Sequence, residues 1–261
     1  MADQRALLVD IDGVLVVSWE LLPGAQRALR ALRAAGIPMR FLTNTTSRTK
    51  GEITDALCRA GLAVNADEVL TVTSAVASYL AHERPGARCL LLNSGDIGDD
   101  LAGVRVVGRA AAPRDIDVVL LGGAGDEFTY EAMNRALACL LEGASLVAMH
   151  RNLVWRTSAG MQLDTGAYLA GLEAAAGVTA TVIGKPAPAM FDAGLRSLGL
   201  EAGEVAMVGD DLDSDVRAAQ MLGITGVQVR TGKFRAAQLD DGPAPDVLLD
   251  SFADVPGWVG L

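Results

Sequence analysis

Aromatic side chains are scarce in this chain. Phe, Trp and Tyr together make up 4% of its 261 residues, whereas hydrophobic residues as a whole make up 51%. A core filled largely by Ala, Val and Leu is typical of helices packed tightly on a buried parallel sheet. The composition therefore favours an α/β fold, and the length allows one large domain or two of ordinary size, of which we expect two.

Basic residues are also few. Lys and Arg number 22 against 32 Asp and Glu, which gives a formal net charge of -10, and no block of basic residues interrupts this excess. A negatively charged phosphate backbone would find no evident binding surface on such a chain. We therefore expect no nucleic-acid partner.

Cysteine patterns and long apolar runs are missing as well. Cys58, Cys89 and Cys139 are odd in number and lack metal-ligand spacing, so they are predicted to be reduced thiols. No apolar run approaches the roughly 18 residues of a transmembrane helix, and a strand begins almost at once, which leaves no room for a signal peptide. We expect no membrane partner and a cytoplasmic protein.

The first part of the chain predicts a β-α-β unit. A strand at Ala6–Val9 is followed by an amphipathic helix at Pro23–Ala35 and a second strand at Pro38–Leu42. A further alternation of strands and helices runs from about Cys89 to Ile183, and short core-like units then return, including a predicted helix at Asp213–Leu222.

This organisation predicts two domains. The expected fold is α/β, with a doubly wound, Rossmann-like parallel-sheet core made of residues 1–75 and 182–261. Residues 76–181 are expected to form an α/β domain inserted into this core.

Four polar motifs each follow a short apolar run. They are Asp10-Ile11-Asp12-Gly13-Val14, Thr43-Asn44, Lys185-Pro186 and the acidic cluster Gly209-Asp210 through Asp215. Parallel strands end at a common edge of their sheet, and open α/β proteins bind ligands at that edge. We therefore expect the four motifs to meet there and form an active site.

Converging carboxylates at the ends of buried strands require a cation. Mg²⁺ prefers oxygen ligands, so Asp10, the backbone carbonyl of Asp12 and Asp210 are the expected metal ligands. Asp10 is then a candidate nucleophile that forms an aspartyl phosphate. Asp12 is suited to protonate the leaving group and later to deprotonate water, which requires a raised pKa.

The transferring phosphoryl group requires hydrogen-bond donors and cations around it. Thr43, the backbone amide of Asn44 and the Lys185 ammonium are expected to supply them. Asp215 and Asp211 are predicted to hold Lys185 or a metal-bound water in place.

Taken singly, each motif also has a structural interpretation. An Asp-X-Asp sequence before Gly is typical of a turn or a helix cap. The cluster from Asp210 to Asp215 is also typical of a Ca²⁺ loop or of an acidic helix start. The order and spacing of all four motifs favour the catalytic interpretation.

With these motifs, the chain resembles the haloacid dehalogenase-like hydrolases over nearly its whole length. The insert is similar to the C2-type α/β cap of subfamily IIA, which includes nucleotidase, pyridoxal phosphate phosphatase and 4-nitrophenyl phosphatase relatives. The stretches Thr43–Thr46, Val208–Asp211 and Val229–Arg235 are most similar to the phospholysine phosphohistidine inorganic pyrophosphate phosphatase branch.

The resemblance implies a Mg²⁺-dependent phosphatase that hydrolyses a small phosphorylated metabolite. Its implied roles match those above: Asp10 as nucleophile, Asp12 as acid and base, Thr43, Asn44 and Lys185 as phosphate-binding groups, and Asp210 as metal ligand. Whether the substrate is a phosphoester, a phosphoramidate or pyrophosphate is left open, because fold and chemistry transfer between relatives better than substrate does.

In this family the cap meets the leaving group, so the resemblance places specificity in the insert. The candidates are His150, Asn152 and Trp155, although each also has a structural interpretation: a satisfied histidine at a strand end, an Asx turn, and a packed aromatic ring. The relatives further imply a cap-mediated homodimer.

Other functions compete with this hypothesis. A phosphoryl-accepting regulatory protein shares the Asp, Thr and Lys set but needs about half this length. A dehalogenase would use Asp10 without Asp12 or a metal, and a phosphomutase normally carries a different, smaller cap. A phosphate-binding protein without turnover is disfavoured because every catalytic position is filled.

Overall fold

A computed structural model describes residues 4–108, 110–157 and 160–261, except for the side chains of residues 155–157. The strands of the described part are β1 (Ala6–Asp10), β2 (Val16–Val17), β3 (Glu20–Leu21), β4 (Met39–Thr43), β5 (Val69–Thr71), β6 (Arg88–Leu92), β7 (Arg105–Val106), β8 (Val118–Leu121), β9 (Ser145–Ala148), β10 (Val154–Thr157), β11 (Gly160–Leu163), β12 (Thr181–Val182), β13 (Val205–Gly209), β14 (Thr225–Val229) and β15 (Val247–Leu249). Its α-helices are α1 (Ala25–Ala34), α2 (Lys50–Arg59), α3 (Val72–Glu83), α4 (Tyr130–Leu141), α5 (Thr165–Ala176), α6 (Pro188–Leu198), α7 (Ala218–Met221) and α8 (Val255–Trp258). None of these helices combines the length and apolar character needed to cross a lipid bilayer.

The first of two compact units is built around a six-stranded sheet. It comprises the chain up to Thr43, Lys50–Leu70 and Lys185–Leu261. The strand order is β15-β14-β13-β1-β4-β5, and β1 pairs in parallel with both β13 and β4. The strand order therefore reverses at β1, and open α/β sheets bind ligands at such a point.

Helix α1 shows how the sequence builds the core of this unit. Its buried residues, Ala25, Ala28, Leu29 and Leu32, have the i, i+3, i+4, i+7 spacing of one helix face. They pack in the same cluster as Leu7 and Val9, which form one face of β1. This helix begins two residues later than predicted, because Pro23 and Gly24 form the turn that precedes it.

The second unit has a parallel sheet of its own. It comprises Asn44–Thr49 and Thr71–Gly184, and its five strands have the order β12-β9-β8-β6-β7. The strand pairs of this sheet are parallel. The α/β fold class is therefore confirmed, whereas the role of the second unit as a specificity cap stays a prediction.

Two local features differ from the sequence prediction. An antiparallel hairpin, β10–β11, occupies a stretch where no pair of strands was predicted. The helix predicted at Asp213–Leu222 is a π-helical turn, Leu212–Arg217, followed by the short α7. Apolar spacing does not distinguish a π-turn from an α-turn over so few residues, and π-turns are frequent at functional sites.

Candidate active site

A buried ion pair joins the first and third motifs. β1 ends at Asp10, and its Oδ1 lies 2.6 Å from the Nζ of Lys185. The same Nζ lies 2.7 Å from Oδ1 of Asp215. Lys185 is 4% exposed. Burial lowers the pKa of Lys185, but the charges on Asp10 and Asp215 more than offset this and raise it. The lysine is therefore charged and bound to two carboxylates.

Asp210 follows β13 at the same edge of the sheet and is 1% exposed. Its Oδ2 accepts a hydrogen bond of 2.7 Å from the backbone N–H of Lys233. A Cβ on either Gly13 or Gly232 would clash with this carboxylate, so both glycines make room for it. Within the described part of the chain, Oδ1 of Asp210 is buried without a hydrogen-bond partner. A buried carboxylate oxygen of this kind is suited to bind a cation.

The acidic groups form a site that suits a divalent cation. Asp10, Asp210 and Asp215 each offer a carboxylate oxygen, and these oxygens lie within 4.8 Å of one another. Burial and then the neighbouring charge of Asp10 raise the pKa of Asp210 to about 8. Burial likewise raises the pKa of Asp215 to about 6, although Lys185 opposes this. These shifts indicate that ionising all three carboxylates beside one lysine is unfavourable, and a dication that prefers oxygen ligands, such as Mg²⁺, would offset this cost.

The π-helical turn brings Asp215 to this cluster. Asp211 caps the turn by accepting a 3.1 Å hydrogen bond from the N–H of Ser214. The backbone N–H of Asp211 in turn donates to Asp215 Oδ2 at 3.3 Å. A Cβ on Gly209 would clash with the Asp215 side chain. Asp215 thus contacts Lys185 directly, whereas Asp211 caps the turn and lies 3.7 Å from Nζ of Lys233.

Asp12 lies in the loop after β1, and it is exposed. Its carboxyl group is nevertheless crowded by protein atoms, and this crowding, followed by the charge on Asp10, raises the pKa of Asp12. The backbone N–H of Ser18 donates to it from the β2–β3 hairpin. Ser18 and Trp19 form the hairpin turn in the left-handed region, with φ of 51° and 66°. The direction of the Asp12 shift is that required of a general acid.

The second motif is divided between the two units. Thr43 ends β4 and is buried, and the register of β4 on β1 places Leu42 opposite Asp10. Thr43 therefore lies at the carboxyl edge of the first sheet, one strand away from Asp10. Asn44 belongs by its contacts to the second unit, in the segment Asn44–Thr49.

Two residues of the site were missing from the sequence prediction. Gly232 gives the Asp210 carboxylate space, and Lys233 donates its backbone N–H to it. Both lie in the loop after β14, where a Gly-Lys pair follows a buried strand. The position of this loop beyond a strand of the same sheet was the available signal, but only the fold shows that the loop turns back toward Asp210.

The specificity candidates of the second unit occupy different settings. His150 is buried, and its Nε2 lies 3.9 Å from Oδ1 of Asp164, the residue that caps α5. Asn152 is exposed, and its carbonyl accepts a hydrogen bond from the N–H of Gly166. The backbone of Trp155 lies in β10, but its side chain is outside the described structure.

Known proteins are similar to this chain along nearly its whole length. A model of the haloacid dehalogenase-like hydrolases matches residues 7–106, and one described as HAD-hydrolase-like matches residues 182–255. Haloacid dehalogenase-like hydrolase domain-containing protein 2 of Bos taurus is 36% identical over 256 residues, or 97% of this chain and 95% of that protein. The chain belongs to the haloacid dehalogenase-like hydrolase family.

Two further relatives carry phosphatase names. The phospholysine phosphohistidine inorganic pyrophosphate phosphatase of Homo sapiens is 34% identical over 260 residues, covering 97% of this chain and 92% of that protein. The structure of a p-nitrophenyl phosphatase from Archaeoglobus fulgidus superposes with a TM-score of 0.90 at 28% identity, covering 98% of this chain and 99% of that one. The predicted family is confirmed, and the protein is a hydrolase of this family.

Proposed function

We propose that this protein is a Mg²⁺-dependent phosphatase that forms a phosphoenzyme on Asp10 and then hydrolyses it. The observation that carries the proposal is the buried group in which Lys185 contacts Asp10 and Asp215. Beside it lies Oδ1 of Asp210, which has no hydrogen-bond partner among the described residues. The phosphatase names of its relatives support the same chemistry.

In the first step, a carboxylate oxygen of Asp10 attacks the phosphorus atom, and the bond from phosphorus to the leaving group breaks. Asp12 gives its proton to the departing atom, so the product leaves uncharged at that position. The raised pKa of Asp12 favours the protonated form that this step requires.

In the second step, Asp12 takes a proton from a water molecule as that water attacks the phosphorus atom of the aspartyl phosphate. The bond between phosphorus and Asp10 breaks, inorganic phosphate leaves, and both carboxyl groups return to their starting states. One group therefore acts as acid and then as base, which is possible when its pKa lies near the working pH.

Asp10, Asp210 and the backbone carbonyl of Asp12 would hold the Mg²⁺ ion, with Asp215 close enough to take part. When bound, the ion supplies positive charge beside the phosphoryl oxygens and the crowded carboxylates. Lys185 supplies a further positive charge, and Thr43 and the Asn44 amide supply hydrogen-bond donors, because negative charge spreads over these oxygens during transfer.

The test is phosphate release from a panel of phosphoesters, phosphoramidates and pyrophosphate with Mg²⁺ present. We expect turnover by the unmutated protein and at least about a 10³-fold loss of kcat in Asp10→Asn, because the nucleophile is removed. Asp55→Asn, an exposed position on α2, is the matched control and should retain full turnover.

The competing functions give different outcomes in the same experiment. A long-lived phosphoprotein without phosphate release would favour a phosphoryl-accepting regulatory protein. A dehalogenase would release no phosphate from this panel. Phosphate release that survives a chelator would contradict the Mg²⁺ dependence, and phosphate release that survives Asp10→Asn would contradict the phosphoenzyme on Asp10.

Metal binding has a readout that does not depend on turnover. Mg²⁺ at 100 times its dissociation constant stabilises a protein by about 2.7 kcal/mol. We expect MgCl₂ to raise the Tm of the unmutated protein and to have little effect on Asp210→Asn. An equal rise in both would place the ion elsewhere.

The partner of the proposed reaction is a small phosphorylated substrate. A homodimer and the absence of nucleic-acid and membrane partners stay predictions. Size-exclusion chromatography with light scattering measures the first, and a single-chain mass would contradict it.

A further inference from the structure

The carboxyl edge of the second sheet is covered by a segment of the chain itself. Such an edge is where open α/β sheets normally bind ligands. Here the segment Asn44–Thr49 packs there as part of the second unit. Glycines that follow three of the strands leave no room for a side chain beside it: Gly184 after β12 lies against Asn44, Gly123 after β8 against Thr46, and Gly95 after β6 against Ser47.

Asn93, the first residue after β6, ties this segment to the sheet. Its Nδ2 lies 3.0 Å from the carbonyl oxygen of Thr46, 2.9 Å from that of Ser94 and 3.0 Å from that of Gly95. Its Oδ1 accepts a 2.8 Å hydrogen bond from the N–H of Gly123. One side chain therefore joins the loops after β6 and β8 to the middle of the segment.

This amide is enclosed as well as bonded. Asn93 is 8% exposed, and a Cβ on Gly122 would clash with its amide group. A buried amide that loses its partners is unfavourable, so the four contacts hold Asn93 in one orientation. The bond to Thr46 is the long-range one, because 47 residues separate the two in the sequence.

The segment continues directly from a strand of the active-site sheet. β4 ends at Thr43, and the next residue, Asn44, begins the segment. Thr43 and the Asn44 amide are the proposed phosphate donors. Along the chain, these donors therefore stand between β4 and the segment that Asn93 anchors.

We propose that Asn93 is a positioning residue, which fixes the segment 44–49 and thereby the phosphate donors at its start. Asn93 acts through the Thr46 carbonyl rather than by touching the substrate. This inference rests on the proposed phosphatase function, and it adds a residue of the second unit to the determinants of catalysis.

The anchor itself is tested by hydrogen–deuterium exchange, which requires no turnover. We expect Asn93→Ala to speed exchange of the peptide that covers residues 44–49 by at least about tenfold, with little change in β1, because local opening becomes easier. Asn134→Ala is the control, since Asn134 is exposed on α4 and its side chain donates to the Tyr130 carbonyl within its own helix.

Kinetics test the consequence for catalysis. A displacement of about 1 Å in a positioning group costs on the order of 10²-fold in rate, so we expect about that loss of kcat/KM in Asn93→Ala. The inhibition constant of inorganic phosphate should rise by about tenfold. The Mg²⁺-dependent rise in Tm should stay, because the carboxylates lie on other segments. A variant that is only less stable would keep the phosphate inhibition constant of its folded fraction unchanged, so a rise in that constant distinguishes a positioning role from lost stability.

A second pair of variants keeps the test valid where Asn93→Ala fails to fold. A Cβ on Gly123 would clash with Oγ1 of Thr46, so Gly123→Ala should displace the segment and weaken phosphate binding. Adding Thr46→Ala removes that atom, and the next atom, Cβ of residue 46, lies at 3.6 Å. The double variant should therefore recover most of the activity that Gly123→Ala loses.

The outcomes separate the two proposals. Unchanged exchange at residues 44–49 overturns the anchor, whatever the kinetics show. Faster exchange with unchanged kinetic constants overturns the positioning role in an active phosphatase. Faster exchange in a protein without phosphatase turnover leaves the anchor standing but overturns the proposed function and the catalytic role of Asn93 with it.

Discussion

The two units share an architecture but use the carboxyl edges of their sheets differently. In the first unit, Asp10, Asp210 and Asp215 crowd around Lys185 at that edge. In the second unit, the corresponding edge carries glycines, the buried Asn93 and the buried contact between His150 and Asp164, and the segment Asn44–Thr49 packs against it. The same kind of sheet edge thus gathers three carboxylates around a lysine in one unit and is packed against a segment of the chain in the other.

This difference shows that architecture offers a site and that side chains decide its use. Buried charges are costly, so an edge with several carboxylates requires cations and is suited to ligand chemistry. An edge whose polar groups are satisfied by the chain's own carbonyls has no such requirement.

The largest effect is expected at Lys185. Lys185→Met leaves Asp10 and Asp215 buried without their cation, and breaking such a pair costs about 3–5 kcal/mol of unfolding free energy. Denaturant unfolding without Mg²⁺ measures this loss. In the folded variant, we also expect at least about a 10²-fold fall in kcat/KM.

Lys233→Met is the matched control, because the Lys233 side chain is 61% exposed and lies 3.7 Å from Asp211. An exposed pair contributes about 1 kcal/mol or less. Equal losses of stability in the two variants would show that burial of the ion pair does not distinguish the first edge.

An intermediate effect is expected from glycines. Gly232→Ala would place a Cβ against the Asp210 carboxylate, at a position where φ is +58°. Steric overlap and left-handed backbone together should cost about 3 kcal/mol. Gly177→Ala, at the end of α5 in the second unit, has a φ of +67° but nothing within 4 Å, and should cost about 1 kcal/mol. Thermal unfolding measures both losses of unfolding free energy, and equal losses in the two variants would contradict this expectation.

The smallest effect concerns a surface pair of the second unit. Nη1 and Nη2 of Arg151 each donate a 2.7 Å hydrogen bond to the carboxylate of Glu173, and this lowers the pKa of Glu173 to about 2. Arg151 is 43% exposed, so solvent screening limits the loss in Glu173→Gln to about 1 kcal/mol at pH 7.

The pH dependence of this loss follows from the sign of the shift. Because the pKa of Glu173 in the folded protein lies below its ordinary value of 4.5, the contribution is full above about pH 5 and declines as the pH falls toward 2. The Tm difference between Glu173→Gln and the unmutated protein should therefore shrink between pH 5 and pH 3. Glu204→Gln, whose partner Arg5 is 67% exposed, should show a smaller difference throughout.

The local pattern of apolar residues was enough to predict many of the strands and the position of the site. Buried runs such as Ala6–Val9 and Val118–Leu121 predict strands because a parallel strand covered on both faces is apolar throughout. Polar residues directly after such runs must then lie at the carboxyl edge. The group around Asp10 follows from this reasoning, whereas the family resemblance rests on the four motifs themselves.

Contacts between residues far apart in the sequence were less predictable. The Lys233 amide reaches Asp210 across 23 residues, and the Asn93 amide reaches Thr46 across 47. Nothing in the apolar spacing near Asn93 indicates that its partner lies in the segment after β4. The π-helical turn that carries Asp215 was also missed, since its apolar pattern equals that of an α-helix.

From its composition and motif order alone, the chain specifies an α/β fold, the succession of its main strands along the sequence and the residue types that gather at one sheet edge. The folded protein alone shows that Asp10 and Lys185, 175 residues apart, approach to 2.6 Å, and that Asn44–Thr49 packs with the second unit. The physical reason is that the local apolar pattern determines which strands are buried. The distances between residues at the ends of different strands depend on how segments far apart in the sequence pack together.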